Sequence, residues 1–439
     1  MLLLCESLSP VLGIITTIAG DGQAVNAGDG GLATSASVCV PNGIAVVESS
    51  GDTYFTSQCH LVRMITKSSG IITTVAGTGA TGYTGDGGLA KAAAFNQPAS
   101  IAIDPVTGNI YIADSGNHAI RLITKRTGII STVAGTGIAG RSFVGSHATK
   151  TLLLNPLGVG IDGLLRLVYI ADSGNNRVLR ISMKSVRISH IAGLNNSAYS
   201  GTYSGDKGKA KMAGLANPSS IAVDKASSNI YITDTFNNRV RMISKSTDII
   251  TTVAGTGVPG FSGDGGLATN ASLINPGGIT IDQSTGNFYI TQASRVRMIN
   301  VKSGRISTIA GTAVSGYSGD GGFATAAQLF DPKAVAVDSS SGALLIADTS
   351  NSRIRSITGT PTSSYSPTSS TVPSPSPSAS QAPSSNSLLP RTNSPSSGTY
   401  VLCLDNYAIA MKSVYDPSTS QLVSDRNYQS ISWNRRIRL

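Results

Sequence analysis

The sequence predicts an all-β chain in which six four-stranded sheets close into a ring, followed by a disordered Ser/Pro/Thr-rich tail. Three observations carry that expectation: a repeat near 58 residues, four short β-branched runs within each repeat, and an abrupt change of composition after residue 358. The pentapeptide Thr/Ser-x-Val/Ile-Ala-Gly starts at Thr16, Thr73, Ser131, Ser189, Thr251 and Ser307. Helical solenoids would need long segments of 3.6 periodicity, which are missing, whereas several short strands per long repeat are the mark of propeller blades. Charged residues make up 13% of the 439 and apolar ones 40%. That is too apolar for a wholly disordered chain, and no apolar run approaches the roughly 18 residues of a membrane-spanning helix. With 49 Gly and 18 Pro, turns are dense.

The unit that begins at Pro98 shows the strands. Ser100 to Asp104 alternates and meets a turn at Gly108-Asn109; Ile110 to Asp114 follows, then the turn Ser115-Gly116-Asn117. Ala119 to Ile123 and Ile129 to Val133 are separated by a turn at Gly128. Short β-branched runs bounded by Gly, Asn, Asp and Ser read as antiparallel strands joined by tight turns. The chain opens on a fourth-type strand, Gly13 to Ala19, and ends its repeats on first, second and third strands at Lys333 to Asp338, Ala343 to Asp348 and Arg353 to Ile357. The leading strand supplies what the last unit lacks. A six-bladed β-propeller over residues 11–358 follows, its last blade closed by the N-terminal strand, with an extension at 1–10. Closure removes the open sheet edges on which chains aggregate.

The segments Tyr169 to Val178 (Tyr-Ile-Ala-Asp-Ser-Gly-Asn-Asn-Arg-Val), Tyr231 to Val240 and Asp348 to Ile354 resemble the NHL-repeat family of six-bladed propellers. The resemblance covers about residues 11–358. Unit 1 departs from the pattern, with Tyr54-Phe-Thr-Ser-Gln-Cys-His60 lacking the Asp and Val47-Glu48 in place of Asp104, Asp162, Asp224, Asp282 or Asp338. Unit 5 has Gln292 for Asp. The resemblance implies a binding propeller; some similar propellers bind RNA on a basic face, and others are lyases or lactonases with a metal at the central channel.

Strand direction alternates within a blade, so the loop leaving each fourth strand shares a face with the turn between second and third strands. Those long loops carry Gly-Asp-Gly-Gly or Gly-Asp-Lys-Gly around Asp29, Asp86, Asp206, Asp264 and Asp320, the candidate binding residues; Val144-Gly-Ser-His147 stands in the third unit. Carboxylate and carbonyl oxygens suit calcium, but a calcium site takes six to eight oxygens and one Asp per loop supplies too few. The competing reading gives Gly its positive φ and Asp a capping role in a compact turn, and no cofactor is expected. On the other face, the series from Asp104 to Asp338 either rings an axial cation or accepts backbone N–H groups in Asx turns. Asp114, Asp172, Asp234 and Asp348 are expected to pair with Arg121, Arg177, Arg239 and Arg353. Tyr54, Tyr111, Tyr169, Tyr231 and Tyr289 are expected to pack between blades.

Catalytic chemistry finds little support. The four His (His60, His118, His147, His190) lack zinc spacing, the two Glu are Glu6 and Glu48, and no nucleophile elbow is present, so neither catalytic nor metal-binding residues are expected. Residues 1–357 hold 27 Lys+Arg and 20 Asp+Glu. The paired arginines of the third strands (239/241, 295/297, 353/355) are not matched in the long loops, which offer only Arg141, Lys150, Lys207, Lys209 and Lys211. No phosphate-tracking stripe results, which argues against nucleic acid. The expected function is therefore a non-enzymatic, monomeric scaffold that recognises a protein or glycan through its long-loop face. A metal-dependent lyase or lactonase is the alternative and an RNA-binding propeller the second.

Residues 359–399 contain 15 Ser, 8 Pro and 6 Thr, a composition of stalks and spacers. Residues 400–439 hold too few apolar side chains for an independent core. Cys39 and Cys59 fall on one face of neighbouring strands and are disulfide candidates; in a reducing compartment they would remain two small apolar residues. Asn195 and Asn270 stand in N-glycosylation triplets. Stalk, cysteines and acceptors suggest an extracellular or cell-surface location, although Met1 to Cys5 lacks the basic start and apolar length of a signal peptide.

Overall fold

The computed structural model describes residues 13–142, 145, 147–194 and 201–359, and the strands of a C-terminal sheet. The chain divides into two compact units, Met1–Tyr365 and Ser366–Leu439. Six four-stranded antiparallel sheets make the first, over 41–76, 98–134, 156–192, 218–254, 279–310 and 334–358, the last joined by Ile14–Ala19. In that blade Ile14 pairs with Thr358, Ile15 with Ile357 and Ala19 with Ile354, so the N-terminal strand closes the ring. The first strands adjoin one another in sequence around the axis, that of blade 1 meeting those of both blade 2 and blade 6.

The pentapeptide has a physical reason at each position. Its Ala (Ala19, Ala76, Ala134, Ala192, Ala254, Ala310) is fully buried, where a larger side chain would not fit. Its Gly has φ of 90–96°, and in blade 2 a Cβ on Gly135 would come within 2.3 Å of the His118 carbonyl oxygen. No side chain is tolerated at such a distance, and positive φ favours glycine as well. In blades 1 to 5 a β-bulge accompanies the motif, as between Ile120 and Arg121 in blade 2, and an equivalent shift falls between Thr17 and Ala19. A bulge leaves one residue unpaired and bends the strand.

The core lies between blades rather than within them. Tyr54 and Val62 of blade 1 cluster with Ile101, Ile110 and Ile112 of blade 2, and Tyr111, Tyr169, Tyr231 and Tyr289 each join a cluster with the following blade. Full burial of one such Ile is worth about 1.5–3 kcal/mol. The long loops protect the outer edges. Gly87 N–H donates to the Ile130 carbonyl at 2.8 Å and Ile130 N–H to the Gly88 carbonyl at 3.0 Å, covering the edge of the fourth strand in blade 2.

The second unit contains an antiparallel sheet of Gly398–Leu404, Tyr407–Asp416 and Gln421–Ser424. Gly398 and Thr399, assigned by composition to the linker, open its first strand. The linker residues 360–397, the N-terminal extension 1–10 with residues 11 and 12, and Asn195 lie outside the described residues.

Candidate functional site

Rings of first-strand residues line the central channel. At the long-loop end the outermost ring is Asn42, Ala99, Leu157, Ser219, Gly277 and Lys333. Below it come small residues, among them Gly43, Ser100, Ser220 and Gly278. Their size is a packing demand: a Cβ on Gly43 would meet the Ala99 carbonyl at 2.6 Å, and one on Gly278 the Lys333 carbonyl at the same distance. A third ring, Ile44, Ile101, Val159, Ile221, Ile279 and Val335, bounds this cavity and a second one on the far side. The channel is thus two chambers divided by an aliphatic girdle, about 460 Å³ on the long-loop side and about 400 Å³ beyond.

The two chambers differ in chemistry. Asn42, Gln58, Asn217 and Asn275 bring amides to the long-loop chamber, with hydroxyls from Ser219 and Thr235. Among the described residues its one charged lining residue, Lys333, is paired with Asp331 at 2.8 Å. Phe236, in the second-to-third-strand turn of blade 4, stands at the rim and is 65% exposed. The far chamber is walled by Val46, Ile103, Ile161, Val223, Ile281 and Val337. At its mouth Glu48 of blade 1 forms an ion pair with Lys225 of blade 4, diametrically opposite in the ring.

The five loop aspartates are engaged by their own blades. In blade 2, Asp86 Oδ1 accepts from Arg121 Nη2 at 2.9 Å and its Oδ2 from the Thr132 backbone N–H at 2.9 Å. Asp29, Asp206, Asp264 and Asp320 repeat this with Arg63, Arg241, Arg297 and Arg355 and with Thr74, Thr252, Thr308 and Thr17. Each of these arginines is at most 1% exposed. Burial works to raise the Asp206 carboxyl, but hydrogen bonding with Thr252 and the Arg241 charge outweigh it and hold its pKa below the usual value.

The second-strand aspartates pair as expected in blades 2 and 3, Asp114 with Arg121 and Asp172 with Arg177. In blades 4 and 6 the expected partners are corrected: Asp234 pairs with Arg241 and Asp348 with Arg355, not with Arg239 and Arg353. The register explains it. Arg239 lies directly opposite Asp234, yet its guanidinium stacks over Tyr203 at 3.6 Å and donates to the Thr256 carbonyl, while Arg241, two residues on, turns into the blade. Arg353 does the same over Tyr317 at 3.7 Å. Burial raises the pKa of Asp114, Asp172, Asp234 and Asp348 despite these partners. Arg63 and Arg297 were not legible as clamps because their blades lack the second-strand Asp; the recurrence of Arg at the third position of the third strand, as at Arg121, Arg241 and Arg355, is the signal that marks them.

On the far face, Asp104, Asp224, Asp282 and Asp338 accept backbone N–H groups two residues on, and Asp162 accepts from Leu165, the Asx-turn geometry. His60 and His118 occupy equivalent turns and each accepts a backbone N–H of the next blade on Nδ1. Among the described residues no group of three or more His, Cys, Asp or Glu is placed to hold a metal. No helix is long and apolar enough to cross a membrane among those residues. Cys39 and Cys59 form a disulfide. Asn270 is exposed at the end of the turn Ala268–Asn270.

The NHL repeat model matches residues 95–121, which hold the first two strands of blade 2, the turn and the start of the third. The chain thus carries an NHL repeat on a ring of six four-stranded blades. It is 30% identical over 275 residues to Protein SUPPRESSOR OF QUENCHING 1, chloroplastic, of Arabidopsis thaliana, covering 60% of this chain and 25% of that one. It is 27% identical over 290 residues to human NHL repeat-containing protein 2, covering 61% and 40%, and 33% identical over 245 residues to human Teneurin-4, covering 51% and 8%. The chain thus spans less than half the length of these relatives. A structural genomics protein of unknown function from Bacteroides thetaiotaomicron VPI-5482 superposes with a TM-score of 0.58 at 21% identity, covering 79% of this chain and 76% of that one. That likeness shows a shared β-propeller fold.

Proposed function

We propose that this NHL propeller is a non-enzymatic binding scaffold that recognises an extracellular protein or glycan partner through its long-loop face. One observation carries the reading: the polar chamber opens on that face beneath an exposed apolar rim, while the carboxylates of the repeat are committed to structure. Phe236 stands at the rim, and Ile138, Val258 and Val314 project from equivalent tips of the long loops at about 60% exposure. Recognition on loops held by a rigid ring follows the usual division of labour between scaffold and surface. Asp29, Asp86, Asp206, Asp264 and Asp320 take part by fixing loop shape. The Cys39–Cys59 disulfide and the exposed Asn270 acceptor support the extracellular location, since disulfides persist in oxidising compartments.

The test is binding of labelled full-length protein to intact cells, read by flow cytometry. Substituting Phe236→Ala, Val258→Ser and Val314→Ser together is expected to reduce the signal at least tenfold, about 1.4 kcal/mol, with Val106→Ser and Leu164→Ser on the far face without effect. The opposite pattern would place recognition elsewhere.

A further inference from the structure

We infer that the long-loop chamber is a binding site for a neutral oligosaccharide, a deepening that rests on the long-loop face being the recognition face. The argument begins with charge. Lys333 is neutralised by Asp331 at 2.8 Å, so among the described residues the chamber lining presents no uncompensated charge to draw an anion or a cation. What it offers instead is a set of amides. Asn42, Gln58, Asn217 and Asn275 line it with side chains that make no hydrogen bond to other described residues. Each brings two N–H donors and a carbonyl acceptor, the complement of a sugar hydroxyl, which both donates and accepts.

Size and floor support the same ligand. The cavity of about 460 Å³ admits a few sugar rings and not a folded partner, within the range of small-ligand sites. Beneath the amides lies the girdle of Ile44, Ile101, Val159, Ile221, Ile279 and Val335, which suits the C–H faces of a pyranose. At the rim Phe236 is the exposed aromatic beside the amides; the negative face of its ring attracts the partly positive C–H groups of a sugar. The Glu48–Lys225 pair across the far mouth makes the channel a cup approached from one side.

The amide side chains are distributed unevenly. Asn42 and Gln58 both belong to blade 1, and the equivalents of Asn42 in blades 2 to 6 are Ala99, Leu157, Ser219, Gly277 and Lys333. An asymmetric cup orients a chain that enters it, which a sixfold one would not.

Isothermal titration of the full-length protein with maltotriose, cellotriose and triacetylchitotriose, and with a heparin tetrasaccharide as the anionic control, tests the assignment. At least one neutral trisaccharide should bind with a Kd near about 1 mM or tighter. Phe236→Ala and Asn42→Ala should each weaken it fivefold or more, and Leu164→Ala on the far face should leave it unchanged. Binding of the heparin fragment alone, of no trisaccharide, or of one with equal affinity by the Phe236→Ala and Asn42→Ala proteins would overturn the inference. Cell binding that depends on Phe236 yet survives enzymatic deglycosylation of the cells would overturn the sugar while the long-loop face reading stands; loss of Phe236 dependence would remove both.

Discussion

Even-numbered and odd-numbered blades solve one packing problem in different ways. Blades 2, 4 and 6 each bury an arginine between two aspartates: Arg121 between Asp86 and Asp114, Arg241 between Asp206 and Asp234, Arg355 between Asp320 and Asp348. Blade 1 has Ser57 in place of the inner Asp and Cys39–Cys59 where blades 2, 3, 4 and 6 tie the turn by carboxylate. Blade 3 has Leu179 at the clamp position and Val144 for the loop Asp, and Arg177 reaches Asp172 at 2.7 Å from two residues earlier. Blade 5 keeps Arg297 and Asp264 but has Gln292 inside. The fold requires that the turn, the long loop and the third strand be tied; it does not require one chemistry.

The largest expected effect separates blade 4 from blade 5. Arg241→Leu strands the fully buried Asp234 carboxylate together with Asp206, and loss of one partner from a buried ionic cluster costs about 3–5 kcal/mol. Arg297→Leu strands only Asp264, whose side chain is 37% exposed and rehydrates, at about 1–2 kcal/mol. Urea unfolding should rank them so; equal losses would mean that the inner aspartate is irrelevant. Adding Asp206→Val to Arg241→Leu copies blade 3 and should recover part of the loss, because Arg239 can then take the role that Arg177 has.

Blade 1 is next. The disulfide spans 20 residues, for which loop-closure entropy gives about 3 kcal/mol. It stands where blade 2 has the Asp114 carboxylate accepting the Asn96 backbone N–H at 2.8 Å. Cys39→Ser with Cys59→Ser should lower the thermal midpoint, and reductant should shift the native protein by the same amount and leave the double variant unmoved. A shift that reductant also produces in the variant would locate the sensitivity outside this bridge.

The sequence made the ring legible because period and strand count are properties of the backbone pattern: Ile14–Ala19 had to complete the last blade, and it does. The disulfide was legible from spacing and the inter-blade tyrosines from recurrence. The clamp partners were not, since Arg239 and Arg241 are two residues apart on one strand, and only a side-chain contact, Tyr203 beneath Arg239 at 3.6 Å, decides which turns inward. The polar chamber was equally hidden. Its amides come from blades 1, 4 and 5, and nothing local in the sequence brings Asn42 and Asn217 to one mouth.

Blade 3 should also show its own pH dependence. His190 stands where the other blades have Thr, and burial, helped by the Arg177 charge, pulls it down to about 4. A folded value below the unfolded 6.5 means that protons favour unfolding: the contribution is complete above pH 6.5 and lost as pH falls toward 4. After discounting for solvent screening it amounts to about 1–2 kcal/mol. Asp114, Asp234 and Asp348 act in the opposite sense, their raised carboxyls favouring the fold at low pH and losing that contribution as pH rises through them. His190→Thr leaves those aspartates in place, so the difference between the two urea-midpoint profiles from pH 7.5 to 4.5 isolates the histidine. Parallel profiles would show that His190 titrates as it does in water.

The smallest effect concerns the outer arginines, which among the described residues only blades 4 to 6 stack on an aromatic ring: Arg239 on Tyr203, Arg295 on Phe261, Arg353 on Tyr317, at 3.4–3.7 Å. Blades 1 and 2 have Leu61 and Ala119 there. Each stack rivets a long loop to the neighbouring turn, as Arg239 joins the Thr256 and Asn237 carbonyls, and a half-exposed cation–π contact contributes about 0.5–1 kcal/mol. Arg239→Ala should therefore move the urea midpoint slightly, while amide exchange of Thr256 and its loop neighbours should quicken. If the contact serves only as a rivet, Arg239→Met, which fills the ring face without charge, restores most of the protection. Failure of Met, with rescue by Lys, would assign the work to charge and make the half of the ring formed by blades 4 to 6 electrostatically distinct from the other.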